Sequence, residues 1–135
     1  MPGDIWARWL DETEREGASA DRQTKLLRSQ VRDRVLHKAM LKPGAVVLDL
    51  GCGTGFLSLE AARIVGPGGM VLAVDSSEGA LGVLAGRAEE RGLGNLRTLR
   101  ADASELPVDG CAVDAVVSRS VLCYVPDRAA VLREA

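Results

Sequence analysis

The sequence predicts a three-layer α/β sandwich built on a parallel sheet, and three observations carry that prediction. Val46-Val47-Leu48-Asp49-Leu50 is an apolar run holding one acid, and it ends in Gly51-Cys52-Gly53-Thr54-Gly55, with glycine at alternate positions. Glycine takes the positive φ of a tight turn, and its missing Cβ lets a ligand lie against the peptide groups. A second apolar run, Met70-Val71-Leu72-Ala73-Val74, ends in another acid, Asp75. Beyond these two, short apolar runs alternate with helix-like stretches along the chain, the pattern of a doubly wound parallel sheet. Together they outline the nucleotide-binding half of an α/β domain.

Taken in order, residues 4–16 carry Trp6, Trp9, Leu10 and Thr13 at spacings of three and four, a short amphipathic helix that Gly17-Ala18-Ser19 breaks. From about Asp21, Leu27, Val31, Val35 and Ala39 recur every four residues among Arg, Lys and Asp, a longer helix stopped by Pro43-Gly44. The first strand takes residues 45–50. After the glycine turn, Phe56 to Val65 reads as a helix packed on the sheet, closed by Gly66-Pro67-Gly68-Gly69. The second strand is 70–75. Ser76 or Ser77 caps the next helix, which runs to about Arg91 with Leu81, Leu84 and Ala88 inward. Gly79, Gly82 and Gly86 lie inside it, each costing roughly 0.5–1 kcal/mol relative to Ala, so the element is expected to be soft. Leu96 to Arg100 is a short third strand. Val113 to Ser118 is the fourth, with Asp114 at its start, and Pro126 opens a last helix that is still running at Ala135.

Composition sets outer bounds. A chain of 135 residues makes one small domain or part of a larger one. The net charge of −2 gives no basic footprint for nucleic acid, so none is expected as a partner. No apolar run approaches a membrane span, and no charged start with an apolar core suggests a signal peptide. Three cysteines, Cys52, Cys111 and Cys123, read as free thiols of a reducing cytoplasm. With one histidine, His37, and no Cys-x-x-Cys, the chain shows no metal-ligand spacing, and no metal is expected. His37 and the set Arg28, Arg32 and Arg34 read as surface of the second helix.

At this point the residues resemble the class I S-adenosylmethionine-dependent methyltransferases, in the group that includes quinone-biosynthesis and other small-molecule enzymes. The resemblance runs from about Val31 to the end and rests on four blocks in the right order. Val47 to Gly55 looks like the family's first motif, Val74-Asp75 like its second, Ala101-Asp102-Ala103 like its third, and Val113 to Ser118 like its fourth strand. The fold implied is Rossmann-like, with these four strands forming part of a larger sheet plus N-terminal helices over residues 1–42. Residues 43–135 would be the cofactor-binding half.

The resemblance also implies roles. The turn Gly51, Cys52, Gly53 and Gly55 would lie under the methionine and ribose of S-adenosylmethionine, with Asp49 near the methionine ammonium. Asp75 would accept both ribose hydroxyls, which suits a group with two acceptor oxygens. Ser76 follows where the family often has a bulky apolar residue over the adenine. Asp102 would accept from the adenine amino group while the Ala103 N–H meets a ring nitrogen. Ser118 and Arg119 would face the methionine end. The expected activity is methyl transfer to a small-molecule acceptor, S-adenosylhomocysteine being the product. The stretch Ser118-Arg119-Ser120-Val121 lacks the Asn/Asp-Pro-Pro-aromatic pattern of enzymes that methylate base amino groups. No general base is assigned.

Other readings stand beside these. A dinucleotide site wants glycine at position 56, where the chain has Phe56, which argues against an NAD(P)-dependent oxidoreductase. Asp49 can cap backbone N–H groups of the turn while facing a ligand, and Cys52 reads as a small turn residue rather than a nucleophile. Trp6 and Trp9 belong either to helix packing or to a lid. The chain is expected to be the N-terminal portion of a larger domain, or else a short protein that completes its sheet by self-association through an exposed strand edge. As it stands it could also be a non-catalytic fragment or partner subunit that keeps a cofactor site without an acceptor pocket.

Overall fold

A computed structural model of the chain describes residues 8–9, 12, 15–16, 18–106 and 113–119. The elements are α1 (Arg22–Lys38), β1 (Val46–Leu50), α2 (Ser58–Val65), β2 (Met70–Asp75), α3 (Glu78–Glu90), β3 (Leu96–Arg100) and β4 (Ala115–Ser118). The four strands form one sheet in the order β3-β2-β1-β4. All neighbours are parallel, and Leu48 of β1 stands between Leu72 of β2 and Val116 of β4.

Strand order and handedness together place the helices. The chain steps from β1 to β2 to β3 in one direction, so right-handed crossovers put α2 and α3 on the same face. That face holds Val47, Val71, Ala73 and Val117, packed by Ala61, Ala62 and Val65 of α2 and by Leu81, Leu84 and Ala88 of α3. The step back from β3 to β4 runs the other way and therefore crosses the opposite face. There Leu48, Leu50 and Val74 meet Leu106, with Ala101, Ala103 and Val113 partly buried beside them. Among the described residues, two of the three expected layers are thus present. The last helix from Pro126 lies outside the described residues, as do Cys111, Cys123 and Trp6.

The expected bounds of β2 and β3 match the structure, β1 starts one residue later than expected, at Val46, and two others shift for physical reasons. β4 begins at Ala115, because Asp114 serves β1 instead: its carboxylate accepts from the Val46 N–H at 2.7 Å, and its own N–H donates to the Val46 carbonyl at 2.8 Å. α2 begins at Ser58 rather than Phe56, because the turn continues through Leu57, which caps the helix with no side-chain hydrogen bond of its own.

α1 has the predicted extent but packs differently. Asp21 caps it, accepting from the Thr24 N–H at 2.8 Å. Leu27 and Val31 of the every-fourth stripe stay 55% and 46% exposed, while Leu36 is the residue buried in the core. The last turn alone reaches the core, where Val35 and Ala39 also pack against it. In the first expected helix, Arg8, Trp9, Glu12, Arg15 and Glu16 are helical. His37, Arg28 and Arg34 are exposed, as expected.

Candidate cofactor site

In an open α/β sheet, ligands sit beyond the carboxyl ends of the strands where the strand order reverses. Here the order reverses at β1, which has β2 on one side and β4 on the other. The glycine turn lies at that end, and Gly51, Gly53 and Gly55 all have positive φ, at 65°, 55° and 102°. Gly55 is fixed by packing as well as by its dihedral. A Cβ there would stand 2.3 Å from Leu84 Cδ1 and 3.1 Å from Leu59 Cγ. A side chain at position 55 would therefore force the buried Leu84 side chain to move within a packed cluster.

The turn is strapped to β2. The Cys52 N–H donates to the Val74 carbonyl at 3.0 Å, and the Gly53 N–H donates to Asp75 Oδ2 at 2.9 Å. The other oxygen, Asp75 Oδ1, accepts from the Ser77 N–H at 2.8 Å. Each carboxylate oxygen keeps a second lone pair, so the half-buried Asp75 is fixed in direction and still able to accept. From α3, Arg87 Nη1 donates to the Thr54 carbonyl at 3.3 Å.

Asp49 is 1% exposed, and Ser58 Oγ donates to its Oδ2 at 2.6 Å. Burial, helped by the charge of Asp75, pushes its carboxyl up to about 7, while the Ser58 hydroxyl and N–H act in the opposite sense. Asp49 therefore supports the start of α2 from within the strand, through Ser58 rather than through N–H groups of the glycine turn as the sequence suggested. Cys52 is buried, and burial beside Asp49 and Asp75 pushes its thiol far up, so it is a packed turn residue and no nucleophile.

The remaining expected residues occupy the same edge of the sheet. Asp102 is exposed just past β3 and accepts from the Ser104 hydroxyl and, at 2.8 Å, from its N–H, which hold its carboxyl below the usual value. Ala103 lies against the opposite-face cluster. Ser76 is exposed, and the helix cap is Ser77, whose Oγ accepts from the Ala80 N–H at 3.1 Å. At the end of β4, Ser118 Oγ donates to the Leu50 carbonyl at 3.1 Å, and just past it the Arg119 guanidinium stacks 4.2 Å from the Phe56 ring centroid. From β3 to β4, the edge reads Asp102-Ala103, Asp75-Ser76, the glycine turn over Asp49, then Ser118-Arg119. Among the described residues, no group of three or more His, Cys, Asp or Glu side chains is placed to hold a metal ion.

Sequence reasoning missed Ser58, Phe56, Thr54 and Arg87 as parts of this site. Ser58 carried a usable signal, a small polar residue among apolar ones at the start of a helix that must pack over β1. Arg87 carried none, because its partner is 33 positions away in sequence.

A parallel sheet with a glycine turn at its switch point and an acid ending the next strand defines an α/β domain for a nucleotide-like cofactor. The chain belongs to the class I S-adenosylmethionine-dependent methyltransferases: the methyltransferase domain family matches residues 47–135. It is 35% identical over 103 residues to a demethylmenaquinone methyltransferase of Geobacillus kaustophilus, a match covering 76% of this chain and 44% of that protein. The chain thus spans under half the length of that relative. Among solved structures, a SAM-dependent methyltransferase from Aquifex aeolicus superposes with a TM-score of 0.71 at 27% identity, over 76% of this chain and 55% of that one. The cyclase SpnF superposes with a TM-score of 0.72 at 29% identity, over 78% of this chain and 38% of that one.

Proposed function

We propose that the protein transfers a methyl group from S-adenosylmethionine to a small-molecule acceptor. The observation that carries this reading is the Asp75 carboxylate, held on both oxygens by N–H groups of Gly53 and Ser77 beside a turn of three positive-φ glycines. A vicinal diol needs two adjacent acceptors in a fixed orientation, and this carboxylate offers them without further ordering. The same edge supplies an acid for an ammonium group, Asp49, and an exposed acid for an exocyclic amine, Asp102. The residues present therefore fit the cofactor.

Asp75 would hold the ribose and Asp102 with the Ala103 N–H the adenine. Gly51, Cys52, Gly53 and Gly55 would lie under the methionine chain, with Asp49, Ser118 and Arg119 toward its far end, and Ser76 beside the adenine. When bound, the cofactor supplies an already electrophilic methyl group. The protein's part is then alignment and exclusion of water, worth on the order of 7–11 kcal/mol when geometry is right. The curated relative named for a demethylated menaquinone supports a quinone-like or other small aromatic acceptor. Residues 1–42 would flank the site as N-terminal helices and 43–135 hold the cofactor, with Trp6 and Trp9 as candidate lid residues. Trp9 is 46% exposed. A cytoplasmic location fits the reading of the cysteines as free thiols, and the absence of a nucleic-acid partner fits the net charge of −2. Among the described residues, no helix is long and apolar enough to cross a membrane. An open edge on β3 or β4 would be the route to self-association.

The test has two stages, because a cyclase shares this half of the fold and fold alone does not set the reaction. Calorimetric titration with S-adenosylhomocysteine should show binding by the wild-type chain and a loss of at least about 100-fold in Asp75→Ala, the scale of two charge-assisted hydrogen bonds. Mass spectrometry of candidate quinols incubated with S-adenosylmethionine should then show the gain of one methyl group. A folded wild-type chain that binds no cofactor would overturn the reading.

A further inference from the structure

Asp49 is the buried carboxylate of the described residues, and nothing cationic balances it. It stands on the helix-covered face of β1, in register with Ala73 of β2 and Val117 of β4, whose side chains offer no hydrogen bond. The groups that act on it are few. From β2 comes the like charge of Asp75, from the turn the neutral thiol of Cys52, and from α2 the hydroxyl and N–H of Ser58. Ser58 is itself 0% exposed, and its Oγ lies 2.6 Å from Asp49 Oδ2. A buried ion without a partner takes up a proton instead. Among the described residues, Ser58 alone opposes that outcome.

We propose that Ser58 is a positioning residue of the cofactor site: its hydroxyl favours the ionised form of the Asp49 carboxylate and fixes its direction, ready for a cationic group of the ligand. The inference deepens the methyl-donor reading and rests on it, since the cationic group is the ammonium of the cofactor's methionine. A protonated Asp49 cannot neutralise that ammonium, so binding must expel the proton first. Affinity therefore rises with pH until Asp49 is ionised in the free chain, and levels off above that point. With its carboxyl at about 7, the rise falls across neutral pH. Removing the Ser58 hydroxyl leaves burial and Asp75 unopposed, and the rise moves to higher pH.

Two measurements on the full chain test this. Carbon-detected NMR follows the Asp49 carboxyl through a pH titration without ligand. Calorimetry follows S-adenosylhomocysteine affinity over the same range. In wild type, the carboxyl midpoint and the break in affinity should coincide near about 7, with affinity falling roughly tenfold per pH unit below it. In Ser58→Ala both should move upward together, and Ser58→Thr, which restores a hydroxyl, should bring them back. Asp49→Asn should bind weakly with no break. Thermal unfolding of each variant separates these effects from loss of the fold.

The proposal is overturned if Ser58→Ala leaves the Asp49 midpoint in place, or weakens binding equally at every pH. If folded wild type binds no S-adenosylhomocysteine at any pH, the methyl-donor reading falls and the cofactor role of Ser58 with it. The ligand-free titration still shows whether Ser58 controls the charge on Asp49.

Discussion

The turns after β1 and β3 both present an acid to the same edge of the sheet, yet they are held by different forces. The first is held by tertiary packing: Asp49, Cys52, Thr54 and Gly55 are all buried, and side chains from both α2 and α3 fill the space where a Cβ on Gly55 would stand. The second is held locally. Asp102 is exposed, its carboxylate bonds to Ser104 two residues on, and its carbonyl accepts from the Glu105 N–H at 3.0 Å. A side chain that closes its own turn needs no core, whereas one that holds a buried turn is coupled to everything packed on it. Damage at the first turn should therefore appear in stability and at the second in ligand affinity.

Gly55→Ala is the strongest way to break that contrast. It combines a strained φ of 102° with a Cβ placed 2.3 Å from Leu84 Cδ1, and a loss of about 3 kcal/mol is expected in urea unfolding. A loss below about 1 kcal/mol would mean that the Leu84 side chain turns aside and that the turn is not locked.

Asp49→Asn should act with a pH-dependent sign. The folded value of about 7 lies above the ordinary 3.8, so the folded chain keeps a proton that the unfolded chain releases. The stability from this group is full below 3.8 and is lost as pH rises through about 7. Asp49→Asn removes that loss, so at pH above about 8 it should be more stable than wild type by on the order of a few kcal/mol, with a flatter pH profile in chemical denaturation. Its weaker binding would make this acid a site residue retained at a cost in stability.

Asp102→Ala sharpens the other side. It should leave the unfolding free energy within about 0.5 kcal/mol and lower S-adenosylhomocysteine affinity about tenfold, the scale of one hydrogen bond. A large stability loss would show that the β3 turn is coupled to the core after all. The smallest expected effect is a gain. Gly82 and Gly86 lie in α3 with no atom within 4 Å of an added Cβ, so Gly82→Ala and Gly86→Ala should each stabilise by about 0.5–1 kcal/mol in thermal unfolding. With Gly55→Ala they form a set in which one substitution type changes sign with its surroundings.

Features that rest on local chemistry were legible in the sequence. Asp21 and Ser77 cap their helices because each accepts from an N–H three residues on. β2 and β3 have the predicted bounds because glycines or the end of an apolar run mark both ends. Asp75 is placed because it ends such a run next to the glycine turn. The features that escaped join distant residues. Asn95, between α3 and β3, is buried and donates its amide to the Ala62 and Gly66 carbonyls at 2.9 and 2.7 Å, tying off the end of α2. Nothing around Asn95 in sequence announces partners 33 and 29 positions away.

The sequence by itself determined the alternation of elements, the parallel sheet, the glycine turn and the acids that ring it, while the placing of β4 beside β1 came from the tertiary structure. Periodicity, turn chemistry and crossover handedness act along a single chain, so they can be read from it. Tertiary structure alone decided that α1 touches the core only through its last turn, that Asp114 serves β1 instead of extending β4, and that Ser58 stands against Asp49. Each of these is a choice among chemically adequate partners, and what selects one is proximity across the packed sheet, which a linear sequence does not display.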